Sequence, residues 1–162
     1  MSCMLILSII IVNIYFVYAI NLEKVTLVKF NDPVKFLRYN GKDVGYSMVG
    51  HVLNGENYPA YCIEPSKPGV YEKDSYDVVI QGSVTDEKII KIIQNGYPYK
   101  TPSELGVNTN QEAYYSTKCA LWCYVNNRNI DDYTSISSEY DYILNATKKI
   151  YLAGIRRYDY NR

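Results

Sequence analysis

The sequence predicts an α+β fold in which an antiparallel sheet region leads and helices follow. Three observations predict it. The first third of the chain is dense in β-branched and aromatic residues punctuated by Asn-Gly pairs, as hairpins are. From about residue 86 onward the apolar residues recur at helical spacing instead. The length of 162 residues leaves room for one domain of roughly 150 residues and little more, so both regions belong to one body.

Residues 1–19 stand apart from that body. They carry no charged side chain, are nearly all apolar over 4–18, and end in Val17-Tyr18-Ala19, a small-x-small pattern that suits signal peptidase. An apolar run of about 15 residues falls short of the roughly 20 that span a bilayer. A signal peptide cleaved after Ala19 is therefore expected, with residues 20–162 as a single secreted or cell-surface domain that meets a membrane only during export. Cleavage would remove Cys3 and leave Cys62, Cys119 and Cys123, an odd set with at least one unpaired thiol in an oxidising compartment.

Residues 24–30, 34–39 and 44–53 read as strands, with turns at Asn40-Gly41 and Asn54-Gly55. Residues 58–63 read as a further strand that places Cys62 at its end. The following stretch, 64–69, is a loop, because Pro65 and Pro68 cannot donate to a ladder. Residues 76–80 suit one more strand. Thr85 or Asp86 then caps a helix whose apolar side is Ile89, Ile90, Ile92 and Ile93 and which Asn95-Gly96 stops. A loop over 97–110 leads to a helix over 111–125 capped by Asn110, and a last helix over 139–152 has Gly154 as its stop.

Composition narrows the function. Lys+Arg and Asp+Glu number 17 each, so the chain lacks the basic excess that phosphate backbones demand, and nucleic acid is not expected as a partner. Hydrophobic residues at 48% and charged residues at 21% are those of a folded globule rather than a disordered chain or a multi-span membrane protein. Nineteen Tyr residues suit wet aromatic surfaces of the kind that bind protein or sugar. His51 is the only His, so neither a multi-histidine zinc site nor an HExxH protease can be built, and no metal or cofactor is expected.

The helix over 111–125 carries the most information. At 100° per residue, Gln111, Tyr114, Tyr115, Lys118, Leu121, Trp122 and Val125 share one stripe, which puts a cation in the middle of an apolar face. Either Lys118 lies at the edge of the stripe and snorkels to water, or it faces a site where a carboxylate, a carbonyl or a thiolate compensates it. Cys119 and Cys123 lie one turn apart on the adjoining face, where free Cys packs as a small hydrophobe.

Three separated segments carry a resemblance. Tyr61-Cys62-Ile63-Glu64-Pro65, then Gly96-Tyr97-Pro98, then Tyr115-Ser116-Thr117-Lys118-Cys119-Ala120-Leu121-Trp122 resemble, in order and spacing, the thioester domain of Gram-positive surface adhesins, also called the TQxA domain. The resemblance covers about residues 24–153. It implies an antiparallel β-barrel or sandwich joined to a helical subdomain. It also implies chemistry, since in that family a Cys forms an internal thioester with the Gln of a Thr-Gln-x-Ala-x-Trp helix, and host amines attack the acyl bond. Carried over residue by residue, the thiol is Cys62, supported by Tyr61, and the helix motif is Thr117, Ala120 and Trp122, with Lys118 at the position of the Gln.

That substitution changes the chemistry. A thioester forms when a thiolate attacks a carbonyl carbon and ammonia leaves, and an ammonium side chain has neither the electrophile nor the leaving group. The site is expected to be degenerate, with Lys118 lowering the pKa of the Cys62 thiol instead. Gln111 is the alternative acyl donor, but it lies seven residues before Lys118, about 10 Å along a helix axis. The resemblance further implies strands beyond the last helix, so the domain is expected to lack its last strands. The function expected is that of a non-enzymatic, adhesin-type domain that binds a host surface or extracellular matrix protein without covalent capture. The alternatives are an intact covalent adhesin with another donor, and a reactive-thiol protein or cysteine enzyme with Cys62 as nucleophile and His51 as base.

Overall fold

The computed structural model describes residues 25–53, 56–63, 74–76 and 84–156. The expected signal peptide, the Asn54-Gly55 turn, the loop over 64–69 and the strand residues 77–80 lie outside the described residues.

Among the described residues, seven strands form two antiparallel sheets. The first has the order β5-β4-β1-β6, from β1 (Val25–Lys29), β4 (Val49–Leu53), β5 (Glu56–Pro59) and β6 (Asp74–Tyr76). The second has the order β3-β2-β7, from β2 (Val34–Tyr39), β3 (Lys42–Tyr46) and β7 (Tyr133–Ser135). β2 and β3 turn on Asn40 and Gly41, both at positive φ (48° and 74°), the two-residue conformation that an Asn-Gly pair adopts with least strain. Among the described residues the sheets do not close into a barrel, and the arrangement is sandwich-like.

Three strands depart from the sequence reading. Residues 58–63 are not a strand throughout: β5 ends at Pro59 and Cys62 lies three residues beyond it, where the Ala60 and Cys62 carbonyls accept from the side chains of Tyr114 and Trp122. Residues 44–53 are not one strand, because the chain leaves the second sheet after Tyr46 and joins the first at Val49. Nothing in composition marks that corner. It is made by Asn31, whose side chain accepts from the Met48 N–H at 2.8 Å, while Met48 returns its carbonyl to the Phe30 N–H at 2.9 Å. β7 was not expected at all. It has three residues and exists through its pairing with β2, Tyr39 opposite Tyr133.

The helices are α1 (Glu87–Gln94), α2 (Pro102–Leu105), α3 (Asn110–Val125) and α4 (Asp141–Ile155). Asp86 caps α1, its carboxylate accepting from the N–H groups of Lys88 (2.8 Å) and Ile89 (3.2 Å). α2 occupies part of the expected loop, held by a reciprocal cap between Thr101 and Glu104. α3 starts one residue earlier than expected: Thr109, not Asn110, is its cap, with Glu112 bonding back to the Thr109 N–H at 3.2 Å. A 3-10 turn, Ser138–Tyr140, displaces the start of α4 to Asp141. Gly154 does not stop that helix. It lies buried inside it, against Ile92 of α1.

α3 is the axis of the molecule. α1, α2 and α4 pack on it, and Tyr115 reaches from it into the second sheet, donating to the Val44 carbonyl at 2.6 Å and accepting from the Leu37 N–H at 3.1 Å. Residues 113–121 are buried without a break, so the helix has no wet side over two turns. The stripe expected from the sequence exists, but the opposite face is covered as well, by Ile92, Ile143 and Ile150 in one continuous core.

Candidate functional site

Tyr114, Lys118 and Trp122 stand at i, i+4 and i+8 on α3 and so line one face in three successive turns. The outer two grip the chain that leaves β5. The Tyr114 hydroxyl donates to the Ala60 carbonyl at 2.7 Å, and the Trp122 indole N–H donates to the Cys62 carbonyl at 2.8 Å. Residues 60–62 are thereby laid along the helix, and Lys118 sits between the two clamps.

Tyr61 and the Gly96-Tyr97-Pro98 segment complete the enclosure. The Tyr61 ring stacks on Tyr114 (centroids 4.7 Å apart, 12° between planes), and its hydroxyl donates to the Tyr97 carbonyl at 2.6 Å. The Tyr97 N–H donates to the Thr117 hydroxyl at 2.9 Å, and that hydroxyl donates to the Ala113 carbonyl at 2.8 Å. Gly96 allows this approach, since a Cβ there would lie 2.5 Å from Oγ1 and Cγ2 of Thr117. The Tyr97-Pro98 bond is cis. The three sequence segments singled out above thus meet in one place, with Thr117 as a strut and Ala120 as core rather than as wall.

Lys118 faces this enclosure rather than water. It is 8% exposed, and its ammonium lies over the Tyr46 ring (4.7 Å to the centroid) and the Tyr114 ring (5.7 Å). Burial lowers its pKa below the ordinary lysine value, and the nearby thiols of Cys62 and Cys119 act in the opposite direction. Among the described residues no carboxylate pairs with it, so the aromatic faces supply the compensation. Tyr114 lies on the stripe that the sequence shows, but Tyr46 comes from β3, far away in sequence, and no spacing rule brings it to Lys118.

The other candidates are placed elsewhere. Gln111 is half-buried in the first turn of α3, two turns from Lys118 and further still from the Trp122 clamp. His51, on β4, stacks on Tyr58 across the β4–β5 pair at 5.2 Å. Cys119 and Cys123 are buried free thiols. Burial pushes the Cys119 thiol up, and that of Cys123, which donates to the Arg128 carbonyl at 3.2 Å, up to about 11. Among the described residues no cluster of His, Cys, Asp or Glu can hold a metal ion, and no helix is long and apolar enough to cross a membrane.

The profile of the thioester domain family matches residues 59–152, more than half of the chain and all of this enclosure but Tyr46. The chain belongs to the thioester domain family. No curated protein matches it. Among solved structures, this thioester domain is similar to the Bacillus anthracis TIE protein, with a TM-score of 0.66 and 23% identity over 83% of the chain. It is also similar to the thioester domain of the Enterococcus faecium TIE86 protein, with a TM-score of 0.62 and 18% identity over 82% of the chain. At these identities the likeness is one of fold. The chain spans 24% of the first of these proteins and 50% of the second.

Proposed function

We propose that this thioester domain is a secreted or cell-surface adhesin module that engages a host surface or extracellular matrix protein non-covalently, its own covalent chemistry having been lost. The observation that carries the proposal is Lys118: an amine occupies the enclosure that the Cys62 segment closes. In the family's chemistry that position supplies a carboxamide carbon to the thiol. An amine offers sulfur nothing to acylate it with, and two nucleophiles in one enclosure form no thioester. Gln111, the other acyl donor considered, lies about 10 Å from Lys118 along the axis, far beyond bonding reach. The family membership supports the adhesin reading, and the 19 Tyr residues of the chain give it the amphipathic side chains that protein interfaces favour.

The test is the exact mass of the folded chain. It is expected to show no deficit of one ammonia, and methylamine is expected to add nothing. A deficit that methylamine fills would establish a working thioester and overturn the proposal. Binding to immobilised matrix protein is expected to be fully reversed by denaturant, as a non-covalent contact is.

A further inference from the structure

Loss of the thioester leaves a thiol and an amine pressed into one enclosure. The Ala60 and Cys62 carbonyls are held by Tyr114 and Trp122, one turn before and one turn after Lys118, so the Cys62 segment passes over the amine. Tyr46 and Tyr114 wall the amine off from water and restrict its rotamers, and among the described residues no carboxylate holds it as an ammonium. A desolvated amine gives up its proton more readily, and only the neutral form has a lone pair to react with.

We propose that Cys62 and Lys118 are a modification site at which dioxygen links the thiol sulfur to the amine nitrogen through one bridging oxygen, tying the 60–62 segment covalently to α3. The atoms balance as R–SH, R′–NH2 and O2 giving R–S–O–NH–R′ and water. The S–H bond and one N–H bond break, one oxygen atom stays between sulfur and nitrogen, and the other leaves as water with the two hydrogens. Sulfur and nitrogen each give up two electrons, and dioxygen takes all four. Thiol reductant reverses the link with four electrons: R–S–O–NH–R′ and two dithiols give R–SH, R′–NH2, water and two cyclic disulfides, the S–O and N–O bonds both breaking. The bridge restores a tie between the strand region and the central helix at the two positions considered above, but by oxidation instead of acylation. It rests on the placement of Lys118 against Cys62 and not on host attachment.

The experiment compares intact masses of the folded full chain in aerated buffer and after dithiothreitol, followed by peptide mapping. The expected result is a gain of one oxygen less two hydrogens that dithiothreitol removes, a cross-linked peptide pair containing Cys62 and Lys118, and no tryptic cut after Lys118. Lys118→Arg and Cys62→Ser are each expected to abolish the gain. The peptide map decides the matter where a variant does not fold. An unchanged aerated mass, an oxygen gain that survives in Lys118→Arg, or a loss of two hydrogens without oxygen would each overturn the assignment. Failure of the proposed function registers differently, as an ammonia deficit.

Discussion

Lys118 and Trp122 are the residues on which the site turns, and each makes a thermodynamic claim. An ammonium 8% exposed with, among the described residues, no carboxylate beside it is a net cost that two aromatic faces only partly offset. Lys118→Met keeps the stem and removes the charge, so it is expected to raise stability by about 1 kcal/mol or more in urea unfolding. A loss would mean that the charge is better compensated than the geometry indicates. Trp122→Phe keeps a ring and removes the donor to the Cys62 carbonyl, and it is expected to lower stability by about 1–3 kcal/mol. At this scale the sequence was informative where chemistry is local. Thr117, Lys118 and Trp122 could be numbered from their motif, whereas Tyr46, which sits 4.7 Å beneath the ammonium, is brought there by the fold alone.

The helices were legible because their caps and apolar periods are written in neighbouring residues. Ile89 and Ile92 located α1, and Asp86 was one of two caps considered. Strand limits were less legible, since the corner between Tyr46 and Val49 depends on Asn31, and β7 on a partner almost a hundred residues earlier. Gly154 shows how tertiary packing overrides a local rule. Read as a helix stop, it is instead the contact point of α4 with α1, where a Cβ would collide with Ile92. Gly→Ala inside a helix ordinarily stabilises by about 0.5–1 kcal/mol. Gly154→Ala is expected to do the reverse, destabilising by about 1–3 kcal/mol in thermal or urea unfolding, because the added methyl overpacks the α1–α4 seam. A stabilised variant would show that the two helices are not in such close contact.

At the scale of the whole molecule, the acids whose pKa values burial raises most, among the described residues, are thiols and phenols. Burial raises the pKa values of Cys119, Cys123, Tyr46, Tyr114, Tyr115 and Tyr133. A group whose folded-state pKa is raised contributes stability that is complete below its unfolded pKa and is lost as pH climbs toward the folded value. For Cys123 that window runs from the ordinary thiol value of 9.0 to about 11, and the buried tyrosines extend it upward from 10.0. Lys118 acts in the opposite sense, its lowered pKa giving a gain just below the ordinary lysine value, but it is one group against several. Stability measured by urea unfolding is therefore expected to be level at neutral pH and to fall steadily above about pH 9. A flat profile to pH 11 would contradict the burial of these groups. At this scale the α+β order of sheets before helices was legible from the change in apolar period. The division of seven strands into two sheets was not, since hairpin signals specify neighbours and not layers.

Both proposals stand on one placement, the side chain at position 118 turned toward the sulfur of Cys62. Restoring the family's carboxamide tests it directly, by the exact mass of folded Lys118→Gln beside that of the unsubstituted chain. The placement predicts that the variant weighs one ammonia less than its sequence requires, because sulfur and carbonyl carbon then meet and acylate, and that methylamine fills the deficit. A folded variant with its full sequence mass would show that position 118 does not face the thiol.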